Sequence, residues 1–368
     1  MSRQPRIGYY VHHHGWGHAS RAASIARELP GEATLLSSLP RSRLRAPGPV
    51  VSLPLDDDGI LDAPPDLHFA PLHSSGLRKR MAIVAGWIDA QAPDLLVVDV
   101  SVEVAALARL CGVPVVYVRQ SGRRDDPAHQ LAYAWSSALL AAYPAWLEPA
   151  ETPAWVLERS FHSGAVTRFD GLARPPLERR GKRLLAIGDR AARLAPEVAR
   201  VAPSWKVVAA SARPVPGPPN LTTVDPGAVD LKLLASSSVV LGAGGANLVA
   251  EAAFARCGLV CMPEERPFEE QLARARELRR TEAAVVVEDA LSVSSWAVLL
   301  ELALWRREKL ARWADGSGAQ RAAEWLGELA ASTRLVGSST FSRSSQRINP
   351  RADSSSSQPC AGHVPQMR

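Results

Sequence analysis

The chain has 368 residues, is 46% hydrophobic, and carries 43 Lys and Arg against 37 Asp and Glu for a net charge of +6. That length suits roughly two domains of about 100–200 residues, each able to bury a sizeable core. Cys111, Cys257, Cys261 and Cys360 are too few and too scattered for a disulfide framework, and no stretch approaches the ~20 apolar residues of a membrane helix, which excludes a disulfide-stapled secreted domain and a membrane-spanning chain.

The N-terminus is polar for six residues, and three histidines interrupt the apolar run that follows, so the apolar core of a signal peptide is missing. Reduced thiols and this N-terminus together predict a cytoplasmic protein, peripheral at most, at the inner face of the membrane. The positive charge suits an anionic partner such as a nucleotide. An Arg- and Ala-rich composition reads first as bias in the genome, and the absence of a zinc finger, an RNA-recognition motif or a basic helix predicts no nucleic-acid partner.

Short β-branched runs alternate with Ala/Leu/Arg-rich stretches of helical period, the pattern of βαβ units that build a parallel sheet covered on both faces. In the first half the spacing predicts strands at Ile7–Val11, Asp94–Val100 and Val113–Val118, with helices at Ala19–Leu29 and Val102–Leu110. Gly171, Gly181 and the pair Pro175–Pro176 make residues 167–181 a linker. In the second half, strands are predicted at Arg183–Ile187, Val207–Ala209, Val239–Leu241, Leu259–Met262 and Ala284–Val287, with helices at Asn247–Ala255, Glu269–Arg280, Ser295–Trp313 and Ala319–Ala331. The expected organisation is an N-terminal domain over residues 1–166, the linker, a C-terminal domain with closing helices over 182–332, and a disordered tail over 333–368 that turns to Ser, Arg, Pro and Gln.

The sharpest motif is Leu241-Gly242-Ala243-Gly244-Gly245-Ala246-Asn247-Leu248-Val249-Ala250-Glu251, a strand end, a glycine cluster and a helix start. Glycines let backbone amides approach a ligand, and a helix N-terminus offers unpaired N–H groups and about half a positive charge, so a diphosphate is the natural occupant. Glu251, about one turn into the helix, is placed to accept hydrogen bonds from ribose hydroxyls. The competing structural reading is a glycine turn that packs helix on strand, with Glu251 a solvated charge. Downstream, Glu270-Gln271 opens a helix on which Arg274 shares a face with Gln271, so both can point at one ligand.

With these residues the chain resembles the GT-B glycosyltransferases of family twenty-eight, whose pattern is a Gly-Gly pair, a Ser or Thr, a Glu seven residues after the first Gly, then a Pro, an Asp/Glu-Gln pair and an Asn-Ala pair. Asp315-Gly316-Ser317-Gly318-Ala319-Gln320-Arg321 looks like the family's ending, where the last helix packs back toward the N-terminal domain, and Thr167-Arg168-Phe169-Asp170-Gly171 looks like its entry to the linker. The resemblance implies an α/β, GT-B fold, two Rossmann-like domains facing each other across a cleft. It further implies an inverting glycosyltransferase that moves a hexose or N-acetylhexosamine from a nucleotide diphosphate sugar, with UDP the expected nucleotide. Gly244, Gly245, Ala246 and Asn247 would line the diphosphate, Glu251 would bind ribose, and Glu270 with Gln271 would contact the transferred sugar. Leu248 departs from the pattern where relatives often carry Ser or Thr, and Arg274 departs where they carry Asn, which would bring charge back near the phosphates.

Directly after the first strand comes His12-His13-His14-Gly15-Trp16-Gly17-His18. Family members place a Gly-x-Gly-His or Gly-Gly-His loop here, so Gly15 and Gly17 are expected under the donor phosphates. Inverting transfer needs a base for the acceptor hydroxyl, and a neutral imidazole suits that task. His18 is the first candidate, His14 the second and Asp99 the third, while a phosphate-contacting or helix-capping role is the competing reading for His18. No carboxylate or Cys near the histidines completes a tetrahedral set, so no metal is expected, and no cofactor beyond the sugar nucleotide as co-substrate.

The acceptor, a lipid-linked glycan or a small molecule, is expected against the N-domain loops at 68–80 and 119–129. The basic triplet Arg78-Lys79-Arg80 and the run Arg123-Arg124-Asp125-Asp126 read as solvated faces before they read as contacts to an acceptor phosphate or a membrane surface. Trp135, Tyr143, Trp146 and Trp155 read first as packing residues. The readings set against the transferase are a nucleotide-sugar epimerase and a catalytically silent sugar-nucleotide-binding protein. The oligomeric state is left open.

Overall fold

The computed structural model describes residues 3–13, 16–177, 181–290, 293 and 295–338. The expected tail beyond Ser338, together with His14, Gly15 and Cys360, lies outside the described residues.

In the first half the strands are β1 (Ile7–Tyr10), β2 (Ala33–Ser37), β3 (Val50–Ser52), β4 (Leu95–Asp99), β5 (Val115–Arg119), β6 (Ala138–Ala141) and β7 (Ser160–His162). The helices among them are α1 (Trp16–Glu28), α2 (Arg41–Leu44), α3 (Ser75–Gln91), α4 (Val102–Leu110), α5 (Pro127–Trp135) and α6 (Ala154–Glu158). The strands form one parallel sheet in the order β3-β2-β1-β4-β5-β6-β7. The second half repeats the arrangement with β8 (Arg183–Ile187), β9 (Lys206–Ala210), β10 (Leu221–Val224), β11 (Val239–Gly242), β12 (Gly258–Cys261) and β13 (Val285–Val286). These form a parallel sheet in the order β10-β9-β8-β11-β12-β13, covered by α7 (Asp189–Val201), α8 (Leu231–Ala235), α9 (Ala246–Phe254), α10 (Glu270–Arg280) and α11 (Trp296–Leu310). Central strands such as Leu95-Leu96-Val97-Val98 and Val239-Val240-Leu241 are buried on both faces, which is why they read as continuous apolar runs. Among the described residues no helix is long and apolar enough to cross a membrane.

The order in which the chain adds strands reverses once in each sheet, between β1 and β4 in the first and between β8 and β11 in the second. Open α/β sheets take ligands at such switch points, outside the carboxyl ends of the strands. The histidine segment follows β1, Asp99 ends β4, and the glycine turn follows β11. Chain topology therefore brings all three to the switch-point edges of the two sheets.

The last helix, α12 (Gly318–Ser338), follows the second sheet in sequence but packs on the first. Ala319, Ala322, Ala323, Leu326 and Ala330 are buried in one cluster with Ile7, Tyr9, Ala19 and Val97, and Phe161 stacks on Trp325 with ring centroids 4.8 Å apart. The linker motif secures this return. Asp170 accepts the Ala319 backbone N–H at 2.8 Å and the Thr167 N–H and hydroxyl at 3.0 and 2.6 Å, and a Cβ on Gly318 would lie 2.2 Å from the Ala165 carbonyl oxygen. The closing helix thus joins the N-terminal domain instead of residues 182–317, and it continues through Ser338, past the boundary expected at 332.

Three sequence expectations change here. The segment 68–80 is not one loop, because α3 begins at Ser75, and Arg80 is buried against Asp56 at 2.7 Å and the Tyr10 hydroxyl at 2.9 Å, a structural cation and not a solvated one. The helix expected at Ala19 starts at Trp16, so Gly17 and His18 belong to its first turn. The helix expected through Trp313 stops at Leu310 and tightens into a 3-10 turn.

Candidate functional site

His18 and Asp99 meet at the switch point of the first sheet. His18 Nδ1 lies 3.0 Å from Asp99 Oδ1, and Arg21, one turn further along α1, donates from Nη2 to both Asp99 oxygens at 2.7 and 2.8 Å. Burial by itself would raise the Asp99 carboxyl, but Arg21 and then His18 outweigh it and hold the group well below the usual carboxylate range. Asp99, the third candidate base, is 0% exposed and cannot reach an acceptor, so any proton it influences passes through His18. With Nδ1 turned to Asp99, the His18 ring keeps Nε2 as its second nitrogen. His12 lies beside it at 5.7 Å between ring centroids, and His13 is turned toward Asp56.

The glycine turn is built by packing as well as by exposure. A Cβ on Gly244 would stand 3.2 Å from both Cys261 Sγ and the Gln271 carbonyl oxygen, so β12 and α10 would have to yield by a few tenths of an ångström to admit a side chain there. Gln271 Oε1 accepts the Gly244 N–H at 3.1 Å and the Glu264 N–H at 2.9 Å, which fixes the turn from below and leaves only Nε2 for a ligand. Gly245 is the N-cap of α9 with no side-chain cap, and no acidic residue stands in the first turn. The helix therefore presents unpaired amides and the positive end of its dipole. Leu248 folds inward, close enough that a Cβ on Gly242 would lie 2.5 Å from its Cδ2. This is why an apolar residue is accommodated where a hydroxyl was expected.

The two edges face each other. A Cβ on Gly17 would lie 3.6 Å from Asn247 Oδ1, an ordinary contact distance, so α1 begins directly opposite the start of α9. Arg274 spans the gap, with Nη1 on the Gly244 carbonyl and Nη2 on the Ser121 hydroxyl, each at 2.5 Å. It is 9% exposed, and among the described residues no carboxylate lies within 4.0 Å of it. Burial depresses its guanidinium, Glu270 and Cys261 oppose that, and Arg124 and Arg21 add to it. Between the domains lies a cavity of about 390 Å³, lined by Gln120, Ser121 and Tyr143 on one side and Asn247, Arg274 and Trp313 on the other. That volume falls in the range of small-molecule sites, roughly 300–1,000 Å³. Tyr143 and Trp146, read from sequence as packing residues, are tied to the cavity rim: Tyr143 donates to Glu148 at 2.9 Å, and Trp146 meets Trp313 edge to face.

Glu251 is not solvated. It is 9% exposed, Arg168 Nη2 donates to its Oε2 at 3.0 Å, and Arg168 Nε lies 3.0 Å from its Oε1. Burial raises its carboxyl, and Arg168 only partly reverses this. A ribose at Glu251 would share the carboxylate with Arg168, whose Nη2 also donates to the Val229 carbonyl.

A contact from Phe268 closes the cleft on one flank. Phe268 and Glu269 both adopt the left-handed conformation, at φ 59° and 51°, which costs about 1–2 kcal/mol per non-glycine residue. The strain is offset by the Phe268 carbonyl accepting the Arg123 N–H at 2.9 Å, by the ring packing against His68, His129 and the Arg124 guanidinium, and by Arg124 pairing with Glu270 at 3.6 Å. Gly122, at φ +105°, makes room, since a Cβ there would lie 2.5 Å from the Phe268 oxygen. Gly122→Ala is expected to cost at least about 1 kcal/mol and to raise the KM for whatever the cleft binds. Thermal melting and saturation kinetics would check it, and an unchanged melt together with an unchanged KM would show that the flank is not closed through Gly122.

His68, Asp126 and His129 form a further cluster whose ligand-capable atoms lie within 4.8 Å of one another. The tautomer argues for a hydrogen-bonded network. His129 Nδ1 meets Asp126 Oδ2 at 2.6 Å while His129 Nε2 faces Arg124 Nη1 at 3.2 Å, so Nε2 must accept and Nδ1 must carry the proton. A metal on Nδ1 would force an N–H against the guanidinium. Burial and then Arg124 push His129 down to about 4, which keeps this ring neutral.

Sequence reasoning did not single out Arg21 or Phe268, held Gln120 and Ser121 only within the 119–129 loop, and saw Arg168 only as part of the linker entry. For Arg21 a signal existed, because it stands three residues after His18 and so on the same helical face.

No protein-family model matches the chain, and no curated protein matches it in sequence. Solved structures do match in three dimensions. The spinosyn forosaminyltransferase SpnP superposes with a TM-score of 0.66 and 15% identity, over 89% of this chain and 100% of that one. The MurG protein of Acinetobacter baumannii gives 0.62 and 17%, over 88% and 100%, and the glycosyltransferase of kitacinnamycin gives 0.61 and 17%, over 91% and 99%. The chain has the GT-B fold, two Rossmann-like domains facing each other across a cleft.

Proposed function

We propose that this protein is an inverting glycosyltransferase that moves a hexose or N-acetylhexosamine from a nucleotide diphosphate sugar, with UDP as the nucleotide, to an acceptor hydroxyl. The observation that carries the reading is the opposition of the His18–Asp99 pair to the uncapped start of α9, with Gly17 against Asn247 between them. The acceptor oxygen attacks the anomeric carbon from the face opposite the nucleotide, its proton passes to His18 Nε2, and the bond from carbon to the diphosphate oxygen breaks. Negative charge developing on the diphosphate is met by the α9 amides and by Arg274, groups already oriented before reaction. Gln271 Nε2 and Glu270 are the contacts for the transferred sugar, and Glu251 is the contact for ribose. The acceptor, a lipid-linked glycan or a small molecule, enters between the N-domain loops and the cavity.

The test is a thermal-shift screen over nucleotide diphosphate sugars, repeated with Glu251→Ala. One donor is expected to stabilise the wild type, by about 2.7 kcal/mol at a hundredfold excess over Kd, and the substitution is expected to remove most of that gain. A screen in which no donor stabilises the protein would overturn the reading. Epimerised nucleotide sugar released without an acceptor would replace it with an epimerase. Donor binding with neither transfer nor hydrolysis would leave a silent binding protein.

A further inference from the structure

We propose that Arg21 is a positioning residue for the base: it carries the countercharge of Asp99, so that Asp99 orients the His18 ring without holding it as an imidazolium. The inference rests on the reading of His18 as the proton acceptor.

A carboxylate hydrogen-bonded to an imidazole favours the protonated ring, and a protonated ring cannot take a proton from an acceptor hydroxyl. Here the carboxylate is shared. Arg21 Nη2 sits 2.7 and 2.8 Å from the two Asp99 oxygens and 3.2 Å from His18 Nδ1, while His18 Nδ1 is 3.0 Å from Asp99 Oδ1. Arg21 is 7% exposed and Asp99 0%, so neither charge is relieved by water. The trio is neutral overall when the ring is neutral and gains a charge only when the ring accepts a proton. Asp99 then has the function of fixing the Nδ1–H tautomer, which leaves Nε2 free to accept.

Among the described residues, no second carboxylate pairs with His18 or Arg21. From β1, Tyr9 is held neutral because burial pushes its phenol up. His12 stands 5.7 Å away, ring centroid to ring centroid, in the segment before α1. Gln120, after β5, donates to Asp99 Oδ1 at 3.4 Å, and Arg274 on α10 adds positive potential from across the cleft. Among the described residues, Arg21 is thus the cation in contact with both His18 and Asp99. The i,i+3 spacing on α1 puts it on the His18 face, so the helix itself sets this geometry.

The experiment is an NMR titration of the His18 ring in the full chain for wild type, Arg21→Gln and Arg21→Lys, alongside the pH dependence of kcat/KM. Arg21→Gln is expected to move the ring's titration midpoint upward by about one pH unit or more, with the acid limb of the rate profile moving the same way. Arg21→Lys, which keeps the charge, is expected to stay near wild type. A midpoint in Arg21→Gln equal to that of the wild type would overturn the proposal. Should Arg21→Gln fail to fold around an unpaired Asp99, the comparison moves to Asp99→Asn and the double variant Asp99→Asn with Arg21→Gln. The double variant is expected to titrate higher, and equal midpoints would sink the idea there too. The titration needs no turnover, so a chain that transfers no sugar would defeat the transferase reading while leaving the role of Arg21 to be judged on the midpoint alone.

Discussion

Replacing His18 with Gln is expected to lower the rate of sugar transfer by about 10²- to 10⁴-fold, the range that a positioned general base contributes, while the thermal shift produced by the sugar nucleotide persists. The glutamine amide can still meet Asp99, so the local packing survives, but it has no nitrogen basic enough to take a hydroxyl proton. The division between chemistry and binding follows from position. His18 belongs to the N-terminal edge, whereas the α9 amides, Arg274 and Glu251, which supply most of the expected donor contacts, belong to the other domain. Steady-state kinetics with a saturating donor would check it. Retained kcat would mean that another group removes the proton.

Asp99→Asn carries the second large effect, on stability as well as on rate. Asp99 and Arg21 form an ion pair with 0% and 8% of their side chains exposed, and removing one partner of such a pair leaves an uncompensated buried charge, at a cost of about 3–5 kcal/mol. The pH dependence has a definite sign. The folded carboxyl lies below its ordinary value of 3.8, so its contribution is complete above that value and is lost as the pH falls beneath it toward the folded value. Wild type should therefore lose this stabilisation only below about pH 4, whereas Asp99→Asn lacks it at every pH. Denaturant melts at pH 7 and pH 3 would show the gap between the two proteins narrowing on acidification. A gap of constant size would mean that the pair does not titrate as described.

The architecture was legible because parallel strands buried on both faces announce themselves as apolar runs, as in Leu95–Val98 and Val239–Leu241. Shorter or edge strands, such as β3, β7 and β10, with partly buried or exposed residues, carry no such signature. Helix α3 was hidden for a related reason: its basic triplet read as solvated, yet Arg80 is enclosed by Asp56, Tyr10 and Ser38, residues distant in sequence. The glycine turn was legible as a turn, but its reason was incomplete. Gly244 is a glycine because Cys261 and Gln271 crowd it as much as because a ligand would approach it.

By itself the sequence determined two Rossmann-like halves and the strand-to-helix junctions at their sheet edges, and it named His18, Asp99 and the Gly244–Asn247 turn as candidate groups. Local period and glycine chemistry are properties of neighbouring residues, so one chain suffices to reveal them. The tertiary structure decided the pairings: His18 with Asp99 and Arg21, Glu251 with Arg168, Arg274 with Ser121, and α12 with the first sheet. Those contacts join residues that lie up to about three hundred positions apart, and the strand order that brings them together is a matter of packing between elements, which no local pattern encodes.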